Sequence, residues 1–173
     1  KMSKSLGNTI APEKVIKKWG ADILRLWVAS ADYTSDVKVS DGLFKQVSEV
    51  YRRIRNTCRF LVQNIADFDP QKDYVSYDKL TSLDKWALGR LAELSDKVTQ
   101  AYDEFQFHIV FHAVHNFCAV DMSALYLDIL KDRLYCDAKE SQSRKAAQTV
   151  LYEITKNLVP LFAPIIPHTA DEV

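Results

Sequence analysis

Residues 41–66 read DGLFKQVSEVYRRIRNTCRFLVQNIA. Val47, Val50, Ile54, Leu61 and Ile65 recur at helical spacing, and Tyr51, Cys58 and Val62 widen the same apolar stripe. This pattern predicts one long amphipathic helix from Asp41, a candidate N-cap, to about Ala66. At about 100° per residue, Lys45, Arg52, Arg55 and Arg59 fall together on one flank of the stripe, within an arc of roughly 80°. They extend about 21 Å along the axis. Arginine forks match phosphate oxygens, so the flank reads as a cationic rail for a nucleic-acid backbone. The alternative is that the arginine stems merely cover the edge of a core.

The pattern repeats on the C-terminal side. After a polar loop, Asp67–Thr81, a helix starts at Ser82, carries Leu83, Trp86, Leu88, Leu91, Leu94 and Val98, and reaches about Tyr102. A fourth begins near Phe107, and an interruption is expected near Asp121-Met122-Ser123 before a fifth, ALYLDILKDRLY, at 124–135. The last long helix runs from about Ser143 to Leu158. Pro160, Pro164 and Pro167 then break or kink the chain, and PHTADEV at 167–173 reads as the start of another helix. On the N-terminal side, Pro12–Trp19 is a short helix stopped by Gly20. ADILRLWVASA at 21–31 is apolar over most of a helix circumference and is expected to be buried, and DYTSDVKVSD at 32–41 suits a short strand or extended turn. Long amphipathic helices joined by short loops predict an all-α, antiparallel helix bundle. Trp19, Trp27 and Trp86 each lie within an apolar run and are expected to pack in the core rather than stack on bases.

Composition narrows the function classes. Of 173 residues, 47% are hydrophobic and 27% charged, with a formal net charge of zero, so any nucleic-acid surface is a local patch. Cys58, Cys118 and Cys136 form no CxxC pair, which favours free thiols in a reducing, cytoplasmic setting over a disulfide framework or zinc knuckle. No run is apolar enough to span a membrane, and no signal peptide is visible. The chain opens without a starter methionine and is expected to be a piece of a longer protein.

The N-terminal string is Lys1-Met2-Ser3-Lys4-Ser5-Leu6-Gly7-Asn8. Two lysines three residues apart among hydroxyl residues, followed by glycine, describe a mobile cationic loop able to neutralise charge on departing phosphates. The pentapeptide resembles the second signature motif of class I aminoacyl-tRNA synthetases. Together with LDKWALGRL (83–91), FHAVHNFCAVDMSALYLDILKDRLY (111–135) and LFAPIIPH (161–168), the whole chain resembles the bacterial-type isoleucyl-tRNA synthetase family. The resemblance implies a KMSKS loop and a small stem-contact segment over 1–40, and a helical anticodon-binding domain over 41–173. It implies ATP binding by Lys1, Met2, Ser3, Lys4 and Ser5, with Lys4 carrying the catalytic role; it also lays the tRNA beside the helix whose flank carries Lys45, Arg52, Arg55 and Arg59, which with Lys131 and Arg133 are the expected tRNA contacts. The parent would use ATP, Mg²⁺, isoleucine and its tRNA. This piece would catalyse nothing alone, and the family's zinc site would lie outside it. For Asp128, Lys131, Asp132 and Arg133, a solvated ion-pair cluster stands equally with a recognition surface. The alternatives are the equivalent piece of a leucyl- or valyl-tRNA synthetase and, from another class, a helical protein-interaction module.

His108, His112 and His115 share an arc of roughly 60° beside an apolar stripe. Histidines at i and i+4 can share a metal, but no fourth ligand or outer shell is evident. No metal site is expected, and the imidazoles should be hydrogen-bonded or solvated.

Overall fold

A computed structural model describes residues 2–7, 9–34 and 36–173, apart from the side chain of Lys4. The long helices are α3 (Asp41–Asn64), α4 (Ser82–Asp103) and α7 (Gln142–Phe162). A composite helix stands with them, made of α5 (Phe107–Asn116), a π-helical stretch (Phe117–Tyr126) and α6 (Leu127–Tyr135). Short helices α1 (Pro12–Trp19), α2 (Ala21–Ser30) and α8 (Pro167–Glu172) cover one end. Cross-chain bonds give the directions. Asn64, ending α3, meets Gln148 near the start of α7, while Tyr51 meets Thr169 beyond the end of α7. Asp84 meets Arg133, whose guanidinium also reaches Ser143, and Tyr102 donates to the Leu161 carbonyl. Successive long helices therefore alternate in direction, as expected, and α4 and α7 run the same way.

The caps explain the starts. Ser40, not Asp41, caps α3: its Oγ accepts from Leu43 N at 3.3 Å, and Asp41 becomes the first helical residue, paired with Lys18 at 2.8 Å. Thr81 caps α4 in a reciprocal box with Asp84, which satisfies two otherwise unpaired N–H groups. Helix α4 ends with Gln106 N bonded to Ala101 O at 2.7 Å and Phe105 at φ 57°, the left-handed position usually given to glycine.

Further expectations are corrected. The 121–123 interruption is a widening, not a break. The Thr57 hydroxyl of α3 reaches Cys118 O at 3.2 Å and Ser123 Oγ at 3.0 Å, so a neighbouring side chain engages the backbone where the ladder loosens. Of the two readings of residues 32–41, the strand is not formed: residues 36–40 join no ladder, no strand occurs among the described residues, and Ser40 is extended. Pro160 lies inside the last turn of α7, which continues to Phe162. Helix α2 is also less enclosed than its composition predicts: Ile23, Leu26 and Ala29 are buried, while Val28 is 59% exposed.

Helices α1 and α2 contribute to the core of the bundle. Val15, Ile23, Leu26 and Ala29 belong to the same core as Phe44, Ile54, Leu61, Val110 and Ile154. Trp27 stacks at a tilt on Phe44, with ring centroids 5.2 Å apart. Trp19 and Trp86 also lie against this core. Arg25 donates to the carbonyls of Ile165 and Pro164 at 2.8 and 2.7 Å, and Asp22 Oδ2 accepts from Thr169 N and Oγ1 at 2.8 and 2.6 Å. Helix α2 is thus bolted to the α7–α8 corner through groups that would otherwise be left unpaired.

Candidate nucleic-acid interface

The N-terminal string forms one 3₁₀ turn, Lys4–Leu6. Ser3 and Ser5 hydroxyls lie 2.7 Å apart, and Leu6 N donates to Ser3 Oγ and O at 3.3 and 3.2 Å. Gly7 has φ 63°, a left-handed value that suits glycine. Met2 and Leu6 are 51% and 70% exposed, so the turn stands away from the core. Lys1 and the side chain of Lys4, where the expected catalytic role falls, lie outside the described residues.

Helix α3 turns Phe44, Val47, Ile54, Cys58 and Leu61 inward and leaves Lys45, Arg52, Arg53, Arg55 and Arg59 exposed. Arg52 pairs with Glu49 at 3.1 Å and Arg55 with Glu172 of α8 at 3.7 Å. Both pairs are solvent-facing and therefore weak. Lys45, Arg53 and Arg59 form no ion pair among the described residues. The sequence reading omitted Arg53, because it sits on the opposite shoulder of the exposed face.

Lys131 and Arg133 separate from this row and from each other. Lys131 is exposed and pairs with Asp128 at 2.7 Å. Arg133 is drawn inward. Its Nη1 and Nη2 donate to the two carboxylate oxygens of Asp84 at 2.8 and 3.0 Å, and Nε and Nη2 reach Ser143 Oγ and O at 3.2 and 2.9 Å. Asp84 is 0% exposed and also accepts from Tyr126 Oη at 2.8 Å. Burial opposes its ionised form, but the hydrogen bonds from Arg133, Tyr126 and Thr81 prevail and hold its pKa below the ordinary value. The same burial, with the neighbouring carboxylate, pushes the Tyr126 hydroxyl far up. The donors of Arg133 are thus used inside the bundle, whereas Lys131 keeps its ammonium at the surface.

The histidine face also differs from expectation. His108 Nδ1 and His115 Nε2 are buried without a hydrogen-bond partner. Burial lowers the His115 pKa, and Arg53 and His112 lower it further, which favours the neutral imidazole. Among the described residues, no group of three His, Cys, Asp or Glu side chains is placed to hold a metal. None of their helices is long and apolar enough to cross a membrane.

Comparison with known proteins adds two family matches. Residues 84–173 match the anticodon-binding domain of tRNA ligases, and residues 1–40 match the class I tRNA synthetases for I, L, M and V. Isoleucine–tRNA ligases of Brevibacillus brevis, Moorella thermoacetica and Syntrophomonas wolfei are 59%, 57% and 56% identical over all 173 residues. The chain spans 19% of the length of each. A solved ternary complex of an Agrobacterium radiobacter K84 LeuRS with tRNA and LeuAMS is similar at a TM-score of 0.71 and 22% identity. The match covers 99% of this chain and 20% of that one. This likeness shows the fold. The first family match covers more than half of the sequence, and the helices it spans are the bundle described above: the chain belongs to the anticodon-binding domain family of tRNA ligases.

Proposed function

We propose that this chain is the part of an isoleucine–tRNA ligase that carries the KMSKS loop and the bundle that holds the anticodon arm of the tRNA. The observation that carries the reading is identity of 56–59% to isoleucine–tRNA ligases along the entire chain. Residues 1–40 form the loop and stem-contact segment, and residues 41–173 the anticodon-binding domain. The parent activates isoleucine with ATP, forming isoleucyl-adenylate and pyrophosphate, and then passes the isoleucyl group to its tRNA.

In the first step the carboxylate of isoleucine attacks the α-phosphorus of ATP and the bond to the β-phosphate oxygen breaks. Lys4 places an ammonium beside the departing pyrophosphate, where negative charge accumulates. Lys1 adds a second cation, and the backbone and hydroxyls of Met2, Ser3 and Ser5 shape the loop around the phosphates. Mg²⁺, when bound to ATP, would supply counter-charge for its phosphates. Glu13 is the one carboxylate in residues 1–20, which hold five lysines in all, and the lysines suit phosphate oxygens. Lys45, Arg52, Arg55 and Arg59, with Lys131 on a separate surface, position the tRNA backbone. The free thiols at Cys58, Cys118 and Cys136 fit a reducing, cytoplasmic setting.

Binding of an isoleucine-acceptor tRNA transcript, followed by fluorescence anisotropy, tests the assignment. The chain is expected to bind the transcript and to leave an amphipathic helical peptide unbound. The reverse outcome would make it a protein-interaction module. In the full-length enzyme, Lys4→Ala should slow adenylate formation far more than it weakens isoleucine binding. A loss confined to isoleucine affinity would remove Lys4 from the phosphate step.

A further inference from the structure

A cavity of about 220 Å³ lies at the corner where α1 turns into α2, closed by α3 and α8. Trp19 lines it from the end of α1, Asp22 and Ile23 from α2, Tyr51 from α3, and Glu172 from α8. Gly20, at φ 96°, makes the turn between Trp19 and Asp22. At about 30 Å³ per water-sized group the space holds about seven, enough for a short-chain molecule.

Asp22 is the group the fold does not explain. It is 7% exposed. Its Oδ2 accepts from Thr169 N and Oγ1 at 2.8 and 2.6 Å, and Thr169 Oγ1 lies 3.0 Å from Tyr51 Oη. These bonds fix the carboxylate. Its Oδ1 is buried with no hydrogen-bond partner. The Thr169 bonds account for how the side chain is held but not for its charge, since the amide oxygen of an asparagine would accept both. A carboxylate withdrawn from water is costly unless a cation meets it.

The walls specify the cation. The half-buried rings of Trp19 and Tyr51 and the side chain of Ile23 make the lining largely apolar, and aromatic faces attract ammonium groups. Trp19 already carries one: Lys18 Nζ sits 5.3 Å from the ring centroid, itself paired with Asp41 at 2.8 Å. Among the described residues, no lysine or arginine lines the cavity, and no group of three side chains is placed to hold a metal. An organic ammonium fits such walls better than a hydrated ion. A second carboxylate, Glu172, stands in solvent and shares Arg55 only at 3.7 Å, a weak exposed contact. One buried and one exposed carboxylate, joined by aromatic and aliphatic walls, match a molecule with an ammonium at each end of a short chain.

We propose that this cavity binds a short aliphatic diamine, with one ammonium against Asp22 and the rings of Trp19 and Tyr51 and the other at Glu172. The site lies where α2 is bolted to α8, and its chemistry is opposite in sign to the cationic row of α3. It does not depend on the tRNA reading.

The test titrates the 173-residue chain with butane-1,4-diamine and, separately, with butylamine, by calorimetry. The wild type should bind the diamine with a dissociation constant of about 1 mM or tighter. In a parallel NMR titration the indole N–H of Trp19 should shift, while those of Trp27 and Trp86, which do not line the cavity, stay in place. Asp22→Asn, which keeps an acceptor for Thr169, should weaken both ligands about tenfold or more, the weight of a hydrogen bond to a charged group. Glu172→Gln should weaken the diamine about two- to fivefold and leave butylamine unchanged, because only the diamine reaches the mouth. No binding by the wild type, equal binding by wild type and both variants, or equal shifts at all three indoles would overturn the proposal. If Asp22→Asn lowers the unfolding midpoint, the Glu172→Gln arm decides alone, since Glu172 is exposed and its replacement spares the fold. There, an equal loss for diamine and monoamine, or no loss for either, contradicts the proposal.

Discussion

Arg133 and the arginines of α3 carry the same side chain into opposite situations. On α3, Arg52 and Arg55 are 64% and 51% exposed and meet carboxylates that are themselves exposed. Arg133 is 18% exposed and grips an aspartate with no exposure. A guanidinium in water keeps its charge available to a partner arriving from solution. A guanidinium spent on a buried carboxylate has become part of the scaffold. The difference lies in what surrounds the charge: α3 faces solvent beside α8, whereas α6 lies against the starts of α4 and α7, where the guanidinium meets Asp84 and Ser143, and Thr81 and Tyr126 donate to the same Asp84 carboxylate.

The sharpest break in this comparison is to remove one partner of the buried pair. Arg133→Ala leaves Asp84 buried without its counter-charge, and is expected to lower unfolding free energy in urea by about 3–5 kcal/mol. Replacing Arg52, Arg55 and Arg59 together should leave the unfolding midpoint where it was. A triple variant that unfolded early would return these arginines to the core edge.

Acid should find the same difference. The Asp84 pKa is lowered in the folded chain, so its contribution is fully present above the unfolded value, about 3.9. That contribution is lost as pH falls through the folded value. Thermal midpoints are expected to hold from pH 7 to about 5 and to fall below about pH 4. The fall should be shallower in Asp84→Asn, which starts from a lower stability. An equally steep fall in that variant would assign the acid transition to other carboxylates.

Smaller effects refine the account of helix starts and surface pairs. Ser40→Ala should cost about 1 kcal/mol through loss of the α3 cap. Asp41→Asn should cost less, because Asp41 is inside the helix and its partner Lys18 is exposed. Lys131→Ala should leave stability unmoved, since its bond to Asp128 is an exposed pair within one helix. Urea unfolding of the three variants ranks them.

Elements governed by local chemistry were legible in the sequence. Pro12 and Gly20 bracket α1, the apolar stripe of α3 gives both its buried face and its cationic flank, and the tryptophans lie against the core as their spacing requires. Features made by distant residues were not legible. Asp121 and Ser123 are poor helix formers and read as a break, whereas Thr57, some sixty residues earlier, meets the backbone where the helix widens. Ser40 and Asp41 are both good caps, and sequence alone does not choose between adjacent candidates. Arg133 read as surface because its partner Asp84 lies forty-nine residues away. The histidine spacing on α5 was visible, but the cavity that His112 and His115 border is completed by Arg90 and Asp121 from two other elements. The signal for Arg53 was present in the same run of basic residues as its neighbours and was lost by considering one flank of α3 alone.

The central claim is that the α3 arginines hold RNA phosphates while Arg133 holds the fold. Its most direct test is the salt dependence of tRNA affinity, measured by anisotropy for the wild-type chain and for the folded Arg52→Ala/Arg55→Ala/Arg59→Ala variant. Each lost phosphate contact removes about 0.7–0.9 from the slope of log affinity against log salt. The account predicts a slope flatter by about 2–3 units, with a similar loss for matched and anticodon-altered tRNA, because phosphate contacts position without reading bases. An unchanged slope in the folded variant would contradict it.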